Sequence, residues 1–265
     1  MSRPARQAGY SLAELLVVVA VLGLTVAAVA GVYAFFQQTY TRAASLEDAQ
    51  LGARAGVDRM VLELRLVGSY WAGVNGAGSA IIAASATSVT FIGDVDADTL
   101  DGAGGEVSLA QSAVAGSTVV RVDRATGADG GPAFAPGEYL FIANGATREA
   151  RAIAAVAGTT LTLASALVNA YPVGSLVRSV ETVTYGFDAP TSTLTRSMGG
   201  GAADPIVDNV TDLTLTYFDE FGAPLALPPN LPLIREVGIS LTCRGGDGSR
   251  RIISTRVKPR SLALL

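Results

Sequence analysis

"GYSLAELLVVVAVLGLTVAAVAGVYAFF", Gly9 to Phe36, holds a single carboxylate, Glu14, at the mouth of an apolar run. From Leu15 to Thr41 the chain carries no charge. About 20 such residues cross a bilayer core as a helix, so residues 15–36 read as a transmembrane segment. A carboxylate just inside that segment costs about 2.5–3.5 kcal/mol on insertion scales, which a partner or a function must offset. The plainer reading is a signal-anchor helix with Glu14 at headgroup level. The residues ahead of it point elsewhere. "MSRPARQAG", Met1 to Gly9, is short and basic. It runs straight into the apolar segment, so a cut falls before that segment, whereas a secretory signal is cut after it. Arg3 and Arg6 stand against an acidic remainder, which places the N-terminus in the cytoplasm and the body outside.

"G-Y-S-L-A-E" ahead of an apolar run resembles the class III signal of type IV prepilins and of type II secretion pseudopilins. The resemblance implies that a prepilin peptidase cuts after Gly9, so that residues 1–9 are a cleaved leader. The new N-terminal residue, Tyr10, would be N-methylated. Glu14, at the fifth mature position, would serve assembly and not catalysis. Most family members carry Phe at the position of Tyr10. Cleavage creates an α-amino group four residues from a carboxylate. In a bundle of such helices Glu14 of one subunit can neutralise the Tyr10 amine of its neighbour, and two opposite buried charges are tolerable where one is not.

The rest of the composition narrows the function. Formal net charge is −4, and −6 once Arg3 and Arg6 are removed with the leader. That balance argues against a nucleic-acid-binding surface as the main business of the chain. With no histidine and Lys258 as the sole lysine, histidine triads, histidine metal sites and Ser-Lys or Schiff-base schemes lack their residues, so no enzyme is expected. One cysteine, Cys243, leaves no intramolecular disulfide.

The helical pattern continues past the membrane. Leu46, Ala53, Val57, Met60, Val61 and Leu64 recur at three- and four-residue steps, with Glu47, Asp48, Arg54, Asp58, Arg59, Glu63 and Arg65 in the other positions. No proline interrupts residues 5–131, and Gly68 offers a C-terminal cap. One helix over residues 10–70 is expected, apolar all round in its first half and amphipathic in its second. Its ending, "DRMVLELRLVGSYW", resembles that of the PilW family of minor pilins and of the related J-type minor pseudopilins. Beyond Trp71 come short alternating runs such as "SVTFI", "ETVTYGFD", "DLTLTYFDE" and "REVGISLTC", which read as strands. Val237, Ile239, Leu241 and Cys243 share one strand face, which makes Cys243 a core residue. The expected fold is α+β, a long helix packed on an antiparallel β body. Residues 71–103 and 180–265 form its core, and residues 104–179 an inserted β-rich subdomain.

Three stretches invite chemistry. "DVDADTLDG" spaces Asp94, Asp96 and Asp98 as in a calcium loop. Thr99 stands where such a loop has its turn glycine, however, and Gly105 where it has a bidentate Glu, so a solvated acidic turn is the ordinary reading. No cofactor is expected, with calcium at these three residues the one candidate. "RSMGGGAADP" lacks the Lys-Ser/Thr of a phosphate loop and reads as a connection. "CRGGDGSRR" reads as a hairpin turn beside an arginine group, Arg244, Arg250, Arg251 and Arg256.

The resemblance implies a minor type IV pilin that primes assembly at or near the pilus tip. A minor pseudopilin of a type II secretion system, or a tip adhesin or DNA-uptake subunit, are the alternatives. Its partners would be other pilins, the prepilin peptidase, the inner-membrane assembly platform and, before assembly, the lipid bilayer. The implied location is a single pass of the inner membrane, then an extracellular pilus or periplasmic pseudopilus.

Overall fold

A computed structural model describes residues 12–71, 79–97, 99, 106–127, 130–245 and 248–264, without the side chains of 42, 43, 45, 46, 48, 263 and 264. Gly9, Tyr10, Asp98 and the side chain of Leu46 lie outside the described residues. Among the described residues, one α-helix, α1 (Leu12–Arg65), is followed by twelve strands. They are β1 (Ile81–Ala84), β2 (Ser88–Gly93), β3 (Val119–Arg121), β4 (Tyr139–Asn144), β5 (Thr147–Ala157), β6 (Thr160–Leu163), β7 (Leu176–Asp188), β8 (Thr193–Met198), β9 (Asp204–Val207), β10 (Val210–Phe218), β11 (Glu236–Arg244) and β12 (Arg250–Val257). The fold is α+β, with every pairing antiparallel.

At 1.5 Å per residue α1 is about 80 Å long, and nothing in its sequence breaks it. Over Leu12–Thr41 it is long and apolar enough to cross a membrane, and none of this stretch is buried against the body. Its threonines bond within the helix: Thr25 donates to the Leu22 carbonyl (2.8 Å), Thr39 to the Phe35 carbonyl (2.9 Å) and Thr41 to the Gln37 carbonyl (3.0 Å). A helix that satisfies its own polar groups is what hydrocarbon tolerates.

The second half buries the stripe Ala53, Val57, Met60, Leu64 and Val67 against β9, β11 and β12. Gly56 permits the approach, because a Cβ there would lie 2.2 Å from Cγ2 of Val207. The helix ends in a tight turn, with Leu66 N–H bonded to the Glu63 carbonyl at 2.9 Å. Gly68 then takes a left-handed conformation, φ +78°, and its N–H bonds to the Ile92 carbonyl of β2 at 2.8 Å. The helix end is thereby fixed to the start of the sheet.

β10–β11–β12 form one sheet, and the other nine strands form a second, in the order β1-β2-β7-β4-β5-β6-β3 with β8 and β9 added alongside β7. β11 buries Val237, Ile239, Leu241 and Cys243 on one face, so the thiol is a core group. β4, β5 and β7 each contribute to two apolar clusters, and β7 runs between them. Its residues 181–188 pair with β2 and β8, and its residues 176–180 with β4. One cluster joins α1, β2, β7, β10 and β11. The other, including Val107, Leu109, Phe134, Leu140, Leu161 and Tyr171, lies wholly between residues 107 and 177.

Candidate functional site

Two groups of residues stand apart from ordinary packing. The first is the head of α1. Glu14 is in the first helical turn and exposed, where the helix dipole favours a carboxylate. The helix surface that follows is an unbroken run of exposed apolar side chains, among them Leu15, Val18, Leu22, Val29 and Phe36. An apolar surface of that extent marks a membrane or a protein interface.

The second group lies where β2 leaves the sheet. Glu181 on β7 is opposite Gly93, the last residue of β2, and Asp94 follows directly. Glu181 is fully buried and Asp94 is 5% exposed, whereas Asp96 is exposed, so the first carboxylate of the stretch is withdrawn from solvent. The close fit explains this. A Cβ at Gly93 would lie 2.5 Å from the Leu66 carbonyl oxygen, and Asp94 N–H bonds to Ser69 Oγ at 2.8 Å, which holds the start of the acidic stretch down on the end of α1. One carboxylate oxygen from each of Asp94, Asp96 and Glu181 lies within 4.8 Å of the others, with Asp96 on the exposed side.

The electrostatics are those of crowded acids. Burial first, then the charge of Asp96, pushes the Glu181 carboxyl up to about 9, against the hydrogen bond from Val95 N–H. Burial likewise raises Asp94 to about 6, and also raises Glu138, itself held by Ala135 N–H (2.7 Å) and the Ser179 hydroxyl (2.8 Å). The nearby cation is Arg178, which is buried and bonds through Nη1 to the Thr99 carbonyl (2.6 Å) and through Nη2 to Glu106.

A further buried carboxylate is balanced. Glu63, on α1, receives Arg196 Nε at 2.9 Å, Arg59 Nε at 3.1 Å and the Tyr185 hydroxyl at 2.8 Å. Sequence periodicity set Glu63 among the outward-facing charges; the structure turns it inward because β7 and β8 bring it partners. The arginine group is divided: Arg244, Arg250 and Arg251 cluster at the β11–β12 turn, whereas Arg256 is about 17 Å further along the strand from Arg251 with its guanidinium 3.9 Å over the Phe218 ring.

Glu181 and Glu138 escaped sequence reading as candidate ligands. Glu181 carried a signal, since it shares strand parity with Val183 and Tyr185 and thus the buried face.

Residues 4–30 match the family model of the prokaryotic N-terminal methylation motif. No curated protein and no solved structure matches the chain. The motif supports a type IV pilin-like or pseudopilin-like protein and implies processing by prepilin peptidase, assembly with other pilins and a structural role. Together with the apolar first half of α1, it is consistent with an inner-membrane anchor that is later incorporated into a filament.

Proposed function

We propose that the chain is a minor type IV pilin, PilW-like, that primes filament assembly and sits at or near the tip. The observation that carries this reading is the methylation motif at residues 4–30, leading into an unbroken apolar helix with Glu14 in its first turn. Cleavage after Gly9 frees the Tyr10 amine for methylation. The N-terminus stays cytoplasmic and the β body lies outside. Assembly then exchanges lipid around Leu12–Thr41 for the helices of other pilins, and Glu14 meets the Tyr10 amine of a neighbour. The resemblance of the helix ending to minor pilins supports a minor role. So does the breadth of a twelve-stranded body, which is hard to repeat along a shaft. Residues 104–179, with an apolar cluster of their own, form a subdomain displayed by the core.

Glu14→Ala tests the reading. Removing one partner of a buried pair costs roughly 3–5 kcal/mol, a loss of docking of a hundredfold or more at about 1.4 kcal/mol per decade. The variant still inserts, because its helix becomes more apolar, and is still cleaved after Gly9. The expected result is a processed, membrane-resident subunit missing from sheared filaments, with few filaments formed. Normal incorporation of the alanine variant would reduce Glu14 to an interfacial residue of an anchor helix. Wild-type chain held in the envelope and absent from sheared filaments would favour a secretion pseudopilus.

A further inference from the structure

Buried carboxylates in a folded body have either partners or an ion. Those of Asp94 and Glu181 are each half served. Asp94 Oδ1 accepts from Ala97 N–H (2.9 Å) and Glu181 Oε2 from Val95 N–H (2.9 Å). Their second oxygens, Asp94 Oδ2 and Glu181 Oε1, are buried with no hydrogen-bond partner among the described residues. A buried acceptor left unmade is a standing penalty that native structures avoid. It is larger for a carboxylate than for a neutral group. Of the charges around the pair, Arg178 favours the ionised Asp94, but only as the smallest influence on it. Asp96 and Glu138 are acidic and raise Glu181 further. Arg178 is already held by Glu106 and the Thr99 carbonyl and is stacked 5.3 Å over the Tyr70 ring.

We propose that Asp94, Asp96 and Glu181 form a calcium site that ties the end of β2 to β7. The donor set is all oxygen, which suits a hard cation. Calcium holds its ligands at about 2.3–2.6 Å, so oxygens on opposite sides of one ion are roughly 4.6–5.2 Å apart. The three carboxylate oxygens, all within 4.8 Å of one another, fit that shell. Magnesium dehydrates reluctantly and keeps several waters, which two buried carboxylates leave little room for. Glu181 and Asp94 supply the buried side of the shell. Asp96, exposed, supplies the entrance and leaves positions for water. The aspartates alone, as an acidic turn, would not make this site. Its inner wall is Glu181, 85 residues or more away in sequence and brought in by the Gly93–Glu181 register. The site belongs to the β body and does not rest on the pilin reading, so either can fail without the other.

The test uses the full chain in detergent micelles, stripped with a chelator and dialysed, with unfolding followed through the buried Trp71. Calcium chloride at a hundredfold excess over Kd should raise Tm by roughly 5–10 °C, with one ion bound per chain by calorimetry. Glu181→Gln should abolish the rise. In chelator it should melt no lower than the wild type, since burial keeps the ion-free Glu181 carboxyl neutral at pH 7 and the amide oxygen can still accept the Val95 hydrogen bond. A merely structural glutamate would show the opposite sign. If Glu181→Gln does not fold, the exposed Asp96→Asn carries the test, with calcium affinity at least tenfold weaker. No calcium-dependent rise in the wild type, an equal rise with magnesium, or unchanged affinity in Asp96→Asn would each overturn the proposal.

Discussion

Glu63 and Glu181 are buried carboxylates that reach the same strand, β7, in opposite electrostatic surroundings. Glu63 has two arginines and a tyrosine hydroxyl around it, and its charge, behind burial, holds the Tyr185 hydroxyl well above the usual phenol range. Glu181 has one amide and a group of acids. Deleting the first should therefore harm, and neutralising the second should not. Glu63→Ala leaves the partly buried Arg196 and the buried Tyr185 hydroxyl without their shared partner, and removing one side of such a pair costs at most about 3–5 kcal/mol. In a chain of this size about 3 kcal/mol is a Tm lower by roughly 6–12 °C. Arg59→Ala removes only the half-exposed partner and should cost under about 1 kcal/mol. Thermal unfolding of the two variants checks this, and a Glu63→Ala Tm within 2 °C of wild type would contradict it. Both glutamates were nearly legible. Glu63 is three residues after Met60 and four before Val67, on the apolar stripe, and Glu181 alternates with Val183 and Tyr185. What the sequence withheld was the partner, since Arg196 meets Glu63, and the Val95 amide meets Glu181, only once the strands have paired.

At the scale of elements, α1 was the most readable feature, because one run of residues sets both of its halves: no charge and no proline in the first, a three-and-four stripe in the second. β10 and β11 were readable for the same reason, through strict alternation. β5 was harder. "TREARAIAAVA" is rich in alanine, and it is a strand because β4 pairs it on one side and β6 on the other, an instance of tertiary context overriding propensity. Gly56 also escaped notice. In sequence it is a weak helix residue; in the fold it is where β9 reaches α1. Gly56→Ala would gain helix propensity in an isolated peptide, but here its Cβ meets Val207. Gly56→Leu, which cannot be absorbed by a small shift, should cost about 1–3 kcal/mol through overpacking. Gly52→Leu, with open space around it, should be near neutral. Equal melting temperatures for the two leucine variants would show that α1 does not sit on β9 as described.

On the scale of the whole molecule, two surfaces have different destinies. The body buries its own core, whereas the first half of α1 exposes an apolar surface that no part of the described chain covers. Lipid and then neighbouring helices are the covers that the methylation motif implies. The proposed processing rests on the basic leader, the glycine and Glu14, and the family match at residues 4–30 bears on the same stretch. The identity of the surface that the body meets was not legible, since no compact motif encodes it. The central claim is that the chain is a processed filament subunit, and the N-terminal mass of the membrane-extracted protein tests it most directly. The wild type should begin at a methylated Tyr10, and Gly9→Val, which puts a branched side chain at the cut, should remain a full-length precursor starting before Gly9. Wild-type chains with an intact leader, or a Gly9→Val chain still beginning at methylated Tyr10, would contradict the account.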